Sequence, residues 1–165
     1  MPEKKWVFDT VALSNFLLSD SIFILEKRYR NRAIITWEVY GEISAGIAEH
    51  PALKLVDKLL EDKVFRLLSL SKKEHDLYLE LIGRLGKGEA SCIALAKKKS
   101  AIVVTDDRTA RKQCKQLKIR VTGTVGILKA SFLDGYISMT RADSIHKKMV
   151  EAGFYSPVRS IADIA

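Results

Sequence analysis

The sequence has few cysteines, few prolines and no long apolar run. Its two cysteines, Cys92 and Cys114, lie far apart and form neither a Cys-x-x-Cys pair nor a Cys/His ligand spacing. We therefore expect reduced, structural thiols rather than a zinc site. No stretch approaches the roughly 18 consecutive apolar residues of a membrane span, and the start of the chain lacks the apolar segment of a signal peptide. These absences predict a soluble, cytoplasmic protein.

Linker-like segments are also absent. The three prolines, Pro2, Pro51 and Pro157, are isolated, and no Gly/Ser/Pro-rich stretch divides the 165 residues. Because 47% of the residues are hydrophobic, the chain has enough apolar side chains for one sizeable core. We therefore predict one domain over residues 1–165, with its core at about residues 6–137 and a C-terminal helix and tail at residues 141–165. The last residues, 156–165, either pack as a tail or lie loose.

Short β-branched apolar runs alternate with longer segments of helical periodicity. This pattern is typical of parallel β-α units and predicts an α/β fold, a three-layer α/β/α sandwich with a central parallel sheet. The predicted strands lie at residues 6–8, 33–35, 64–68, 101–105 and 119–122. The predicted helices lie at about residues 11–18, 22–30, 37–45, 52–61, 72–85, 89–99, 108–117, 125–133 and 141–152.

Acidic residues follow several of these apolar runs. Asp9 comes directly after the first predicted strand, and Asp106 and Asp107 come directly after the fourth. Glu42 lies two helical turns after the second strand, and Glu89 opens a predicted helix. Because ligands of open parallel sheets bind at the carboxyl ends of the strands, these acids are candidate site residues.

Each acid also has a local explanation. Asp9 and Asp106 are suited to cap helices, Glu89 to complement a helix dipole and Glu42 to face solvent. Their joint occurrence favours a site, because clustered carboxylates repel one another unless a cation shares them. All the candidate ligands are oxygens, which favours Mg²⁺ or Mn²⁺ over Zn²⁺ or copper. We expect the histidines, which lack a partner motif, to be surface residues: His50, His75 and His146.

Several blocks of the sequence together resemble the PIN-domain nucleases. They are residues 7–15 (VFDTVALSN), 39–43 (VYGEI), 88–96 (GEASCIALA), 105–111 (TDDRTAR), 121–128 (VTGTVGIL) and 135–137 (GYI). The order and spacing of the blocks make the likeness specific. It implies a three-layer α/β/α fold and cleavage of RNA phosphodiester bonds with Mg²⁺ or Mn²⁺ as cofactor. It also implies frequent homodimers, and many similar members are VapC-like toxins that a small antitoxin holds inactive.

The resemblance carries site roles over to the acids. Asp9, Glu89 and the Asp106-Asp107 pair would bind metal, while Glu42 would orient water or complete a second site. The register of the pair stays open. Family members often carry an acid two positions after the strand's Thr, which matches Asp107, whereas relatives with an Asp-Asp pair use Asp106, and both can contribute.

Polar and basic residues beside the acids are candidate supporting groups. Thr10, Ser14 and Asn15 are suited to hydrogen-bond the carboxylates or a phosphate, although polarity at a helix start explains them equally well. The chain has 28 Lys and Arg against 20 Asp and Glu, a net charge of +8 that is common but not diagnostic in nucleic-acid-binding proteins. One basic helix face either binds RNA phosphates or is simply solvated: Arg108, Arg111, Lys112 and Lys115.

Two other functions remain open from the sequence. One is a catalytically inactive PIN-like module that binds RNA or a protein, which the full set of acids disfavours. The other is a phosphoryl-transfer enzyme that uses a strand-end Asp. A haloacid-dehalogenase-like site would carry Asp-x-Asp after the first strand, whereas Asp9 is followed by Thr10 and Val11.

Overall fold

Five parallel strands form the central sheet of the computed structural model, which describes residues 3–165. Met1 and Pro2, which the predicted domain includes, lie outside the described residues. The strands are β1 (Trp6–Phe8), β2 (Ala33–Thr36), β3 (Phe65–Leu68), β4 (Ile102–Val104) and β5 (Val121–Thr122). Their order across the sheet is β3-β2-β1-β4-β5. The predicted α/β class, the five strands and the parallel sheet are confirmed.

Helices flank this sheet at the predicted places. They are α1 (Thr10–Leu17), α2 (Ile22–Tyr29), α3 (Trp37–Gly46), α4 (Leu55–Glu61), α5 (Lys72–Leu81), α6 (Lys87–Lys99), α7 (Arg108–Gln116), α8 (Thr124–Leu133) and α9 (Met139–Glu151). Most boundaries agree with the prediction to within two residues, and two differ by more. A separate 3-10 helix, Pro51–Lys54, precedes α4, with proline at its start. Helix α5 ends at Leu81 rather than at residue 85, because Gly83 and Gly86 are poor helix formers.

The strand order places a topological switch point beside β1. The chain passes from β1 outward to β2 and β3 and then returns to place β4 on the other side of β1. Val7 pairs with Ile34 of β2 and with Val103 of β4. Because ligands of open α/β sheets bind at such points, beyond the carboxyl ends of the strands, the residues that follow β1 and β4 are in the favoured position.

Helix α6 packs closely across the middle of the sheet. It contacts β1, β2 and β4, and its residues 90–96 are all buried. Small side chains in this segment allow the helix to approach, and the Cys92 thiol donates a hydrogen bond to the Phe8 carbonyl at 3.4 Å. Cys92 and Cys114 are both buried, unpaired thiols, as expected. This packing fixes the start of α6, which carries Glu89, against the end of β1.

The C-terminal tail packs onto helix α9 and does not lie loose. Phe154 and Ile161 are buried in the core. The Asp143 carboxylate accepts hydrogen bonds from the backbone N–H groups of Ile161 at 2.6 Å and Ala162 at 3.3 Å. Each of these contacts joins residues at least 18 positions apart, so the tail's place depends on α9.

His146 is a core residue, and its predicted surface position is wrong. It lies on the buried face of α9, and its Nε2 is 2.7 Å from the Ser156 hydroxyl. Burial lowers the pKa of His146, which favours the neutral ring that such a contact accommodates. His50 and His75 are exposed as expected. Among residues 3–165, no helix is both long enough and apolar enough to span a bilayer.

We predict that Asp143→Ala will loosen the tail. Removal of the carboxylate leaves the N–H groups of Ile161 and Ala162 without this acceptor, so their amide hydrogens should exchange faster with solvent. Hydrogen exchange followed by mass spectrometry or NMR measures the effect. Glu151→Ala, an exposed change on the same helix, is the control. Equal protection of residues 161 and 162 in both variants would contradict the anchoring role.

Candidate functional site

An open groove lies at the carboxyl edge of the sheet, beyond β1, β4 and β5. Its volume of about 1210 Å³ exceeds the range of about 300–1,000 Å³ that is typical of small-molecule sites. Four of the predicted acids line it: Asp9, Glu89, Asp106 and Asp107. Helices α1, α7 and α8 begin at the same edge, since they follow β1, β4 and β5 directly. Their N-termini carry partial positive charge and favour anions there.

Asp9 sits at the floor of the groove and is only 3% exposed. It caps α1 by accepting a hydrogen bond from the Ala12 N–H at 3.1 Å, and the Thr105 hydroxyl donates to its second oxygen. Burial raises the pKa of Asp9 to about 6, with smaller contributions from Glu89 and Asp106 against the lowering effect of its hydrogen bonds. The cap and the charged cluster are therefore two simultaneous roles of one carboxylate.

Glu42 faces a smaller pocket that adjoins the groove. That pocket shares Asp9 and Glu89 with the groove, so the two acids lie between Glu42 on one side and the Asp106-Asp107 pair on the other. The Thr10 hydroxyl donates a hydrogen bond to Glu42. Gly88 makes this contact possible, because a Cβ at that position would overlap the Glu42 carboxylate and lie 3.2 Å from the Thr10 hydroxyl.

Glu89 lies in the first turn of α6. Its carboxylate accepts a hydrogen bond from the Gly86 N–H at 3.2 Å, so the helix-start role that the sequence allowed is present. Burial raises the pKa of Glu89, and the negative charges of Asp107 and Glu42 raise it further. Glu89 lines both pockets, so it lies near the acids on either side, and like charges so placed repel one another.

Asp106 and Asp107 have different surroundings. Asp107 is exposed and caps α7 by accepting a hydrogen bond from the Ala110 N–H at 2.8 Å. Asp106 is partly buried and accepts hydrogen bonds from the N–H of Thr124 at 2.9 Å and from its hydroxyl at 2.6 Å. Since Asp107 rather than Asp106 caps the helix, the proposed capping explanation of Asp106 is wrong. A Cβ on Gly123 would lie 2.5 Å from Asp106, so glycine there leaves room for the carboxylate.

The predicted supporting residues divide into two groups. Thr10 contacts Glu42, and the Asn15 side-chain amide lies 3.5 Å from Asp106 and 3.1 Å from the Thr124 hydroxyl. Ser14 instead donates to the backbone carbonyl of Thr10 at 2.7 Å and contacts no candidate acid in this structure.

Two threonines that hold the acids were missed by the sequence analysis. Both threonines are buried. The Thr105 hydroxyl donates a hydrogen bond to Asp9, and the Thr124 hydroxyl donates one to Asp106. Thr105 could have been found from its place at the end of β4, just before the acidic pair. Thr124 lies 18 positions beyond Asp106, and no local pattern connects the two.

The basic face of α7 borders the acidic groove. All four predicted residues line it: Arg108, Arg111, Lys112 and Lys115. Arg111 also has a structural contact, because its guanidinium donates to the Thr105 carbonyl at 3.0 Å. Arg108, Lys112 and Lys115 are exposed. Cations therefore stand on one wall of a groove whose floor is acidic.

The donor set at the groove fits a hard divalent cation in its chemistry, since every candidate ligand is a carboxylate oxygen. Among residues 3–165, no group of three or more His, Cys, Asp or Glu side chains is already arranged in metal-binding geometry. The carboxylates of Asp9, Glu42 and Asp106 are instead each turned onto a threonine hydroxyl. The pKa values of Asp9 and Glu89 are raised because burial and neighbouring acids disfavour their negative charges, and a bound cation would neutralise those charges.

Comparison with known families and structures agrees with this architecture. A family model described as PIN domain matches residues 5–165. No curated protein sequence matches the chain.

Three solved structures share the fold at low sequence identity. FitAcB from Neisseria gonorrhoeae has a TM-score of 0.52 at 16% identity, over 70% of this chain and 95% of that chain. VapBC2 from Rickettsia felis, bound to a DNA fragment from their promoter, has a TM-score of 0.52 at 15% identity, over 72% and 97%. PAE2754 from Pyrobaculum aerophilum has a TM-score of 0.52 at 16% identity, over 73% and 91%. At these identities the likeness is one of fold.

We predict that Asp9→Asn will stabilise the EDTA-treated protein at alkaline but not at acidic pH. The folded-state pKa of about 6 lies above the unfolded value of 3.8, so ionised Asp9 destabilises the fold increasingly as pH rises through 6. Asparagine keeps the cap and removes this charge, a gain of up to about 3 kcal/mol at about pH 8 that vanishes near pH 4. Denaturant unfolding across this range measures it.

The matched control is Asp76→Asn, which neutralises an exposed carboxylate on α5. If the stability difference between the Asp9 variant and the parent were the same at both ends of the pH range, Asp9 would not carry the proposed electrostatic cost.

Proposed function

Because the chain belongs to the PIN-domain family, we propose that it is a divalent-metal-dependent endoribonuclease that hydrolyses RNA phosphodiester bonds. The observation that carries this proposal is the groove in which Asp9, Glu89, Asp106 and Asp107 lie beside the basic face of α7. Clustered carboxylates bind cations and cationic side chains bind phosphates, and a phosphodiesterase needs both within one site. PIN domains in general are nucleases that depend on divalent metal.

Asp9, Glu89, Asp106 and Asp107 are the residues that would hold Mg²⁺ or Mn²⁺, with Glu42 in the adjoining pocket as a further acid. When bound, such an ion supplies charge neutralisation at the phosphate and lowers the pKa of the attacking water. Asp9 and Glu89 have central places in this arrangement because they border both pockets. Glu42 would orient water or complete a second cation site.

The threonine hydroxyls hold the acids in place for this chemistry. Thr105 bonds one oxygen of Asp9 while the Ala12 N–H bonds the other, so the carboxylate is oriented from two sides. Thr124 bonds both oxygens of Asp106 through its N–H and hydroxyl. Hydroxyl hydrogen bonds to ionised carboxylates favour the charged form, which is the form that binds a cation. Ser14 has no such contact, and its proposed role is limited to the backbone of α1.

The basic face of α7 would bind the phosphates of the RNA strand on either side of the cleaved bond. Arg108, Lys112 and Lys115 are exposed along the groove and are suited to this role. Arg111 would contribute positive charge while its guanidinium braces the end of β4 through the Thr105 carbonyl. Arg111 is therefore a poor site for testing RNA contacts, since its substitution would also remove a hydrogen bond to Thr105, which immediately precedes the acidic pair.

Partners are proposed from the sequence resemblance to VapC-like toxins. The fold neighbours FitAcB and VapBC2, the latter solved with DNA from their promoter, support a place in a toxin-antitoxin pair. We propose a small antitoxin protein as one partner and a homodimer as the active form, in the cytoplasm. The antitoxin proposal would be supported by a small protein that is encoded next to this chain, copurifies with it and blocks its cleavage of RNA.

We predict that the purified protein cleaves RNA with Mg²⁺ or Mn²⁺ present and not in excess EDTA. Asp9→Asn and Glu89→Gln should each lower the cleavage rate by at least about tenfold to 100-fold, since replacing a metal ligand costs no less than replacing a residue that orients it. The cleavage rates of Asp106→Asn and Asp107→Asn, measured separately, show which acid of the pair contributes more to cleavage. Glu80→Gln, on the exposed surface of α5, is the control.

Full cleavage in EDTA would contradict the proposed mechanism. RNA binding without cleavage under any divalent cation would favour a catalytically inactive PIN-like module instead. Transfer of a phosphoryl group from substrate to Asp9, detected as an aspartyl phosphate that alkali or hydroxylamine cleaves, would favour the phosphoryl-transfer alternative.

We predict that Lys112→Ala and Lys115→Ala weaken RNA binding in a salt-dependent way. Removal of one lysine that neutralises a phosphate should flatten the log-log dependence of affinity on salt concentration by about 0.7 for a single strand. Lys98→Ala removes the same charge near the C-terminal end of α6, at the opposite end from Glu89, and should leave the slope unchanged. Equal slopes for all three variants would indicate a solvated helix face.

A further inference from the structure

Tyr155 is an aromatic side chain that lines the acidic groove while remaining 96% exposed. Other exposed aromatics of the described residues are partly covered, with Trp37 at 53% and Tyr136 at 42%. Trp37 packs edge-to-face on Tyr40, and Tyr136 lies beside the Arg28 guanidinium. The Tyr155 ring lies in none of the aromatic or cation-π pairs formed among residues 3–165. The ring is therefore free to contact a ligand in the groove.

The residues on both sides of Tyr155 are fixed. Phe154 is buried and packs edge-to-face on the His146 ring, with their centroids 6.3 Å apart. The Ser156 hydroxyl contacts His146 Nε2 at 2.7 Å and donates to the Val158 carbonyl at 2.9 Å. Pro157, which also lines the groove, restricts the backbone that follows. The chain thus holds one exposed ring between two anchored neighbours, with little backbone freedom to lose on binding.

We propose that Tyr155 is a specificity-determining residue that stacks on an unpaired RNA base bound in the groove. This inference rests on the proposed ribonuclease function and assigns a base-binding residue to the same groove. Stacking on an aromatic side chain accepts any base, because every base has a π-face, but it requires a base that is not already stacked within a duplex. The ring would bind a nucleotide next to the one at the acids.

The charges of the groove support a nucleic-acid strand over a protein segment. Arg108, Lys112 and Lys115 line the same groove as Tyr155 and provide sites for successive phosphates. The groove also exceeds the size of ordinary small-molecule sites, which suits a polymer that passes through it. Aromatic faces beside a positively charged track are the arrangement by which proteins bind single strands. A tyrosine ring has few rotatable bonds, so stacking orders it at low entropic cost.

The test compares Tyr155→Ala and Tyr155→Phe with Tyr136→Ala, which removes an exposed tyrosine outside the groove. Binding of a short, fluorescein-labelled single-stranded RNA and of its blunt-ended duplex is measured by anisotropy in EDTA, where the proposed cleavage does not interfere. Because the Tyr155 side chain is almost fully exposed, its replacement should leave the melting temperature unchanged, which circular dichroism checks.

Tyr155→Ala should weaken binding of the single strand by about tenfold or more and leave duplex binding unchanged. Tyr155→Phe keeps the ring and should bind like the parent, as should Tyr136→Ala. The salt dependence of binding should keep its slope in Tyr155→Ala, because a neutral ring releases no counterions. This last readout separates stacking from a general loss of the basic surface.

An unchanged affinity of Tyr155→Ala for the single strand would overturn the proposal. An equal loss for single strand and duplex would overturn it as well. Failure of the ribonuclease proposal has a different signature. In that case no variant cleaves RNA with any divalent cation, while the difference in single-strand affinity between Tyr155→Ala and Tyr155→Phe persists.

Discussion

Electrostatic repulsion among carboxylates at the carboxyl edge of the sheet is the constraint on which the site depends. The strand order places β1 beside β4, so Asp9 and Asp106 are brought together by the backbone whether or not their charges favour it. Glu89 joins them because α6 packs over the middle of the sheet. Burial removes the water that would stabilise the charge of Asp9. Burial and the nearby negative charges of Glu89 and Asp106 together raise the pKa of Asp9. The fold supports this charge because the hydrophobic core beneath the edge is extensive.

Hydroxyls, amides and glycines around the acids offset part of the destabilisation caused by the clustered carboxylates. Thr10, Thr105 and Thr124 each donate to a different carboxylate, and each is fixed at a strand end or helix start. Gly88 and Gly123 leave space where a Cβ would meet an acid. The surroundings therefore accommodate ionised oxygens individually, and a shared cation would satisfy them together. A group of acids assembled only as helix caps would have no need for these additional contacts.

Local patterns were sufficient to predict the elements and the acids, but not the contacts between distant segments. β-branched runs and helical periodicity placed all five strands and nine helices of the described residues, because each pattern depends on neighbouring positions. The division of roles between Asp106 and Asp107 depends on Thr124, which reaches the site only through β5 and α8. The surface position predicted for His146 was wrong because its burial depends on the tail that folds back onto α9.

The side chains of the tail alternate between contact with α9 and exposure to the groove. Phe154 and Ser156 point to α9, whereas Tyr155, between them, is exposed to the groove. A change at residue 155 therefore alters what the groove presents to a ligand with little effect on stability. A change at residue 154 or 156 would instead remove a contact with His146 and shift the backbone that carries the Tyr155 ring. Two of the acids, by contrast, have a structural and an electrostatic role at once. Asp9 and Asp107 cap the helices that follow β1 and β4, and they also place negative charge in the groove.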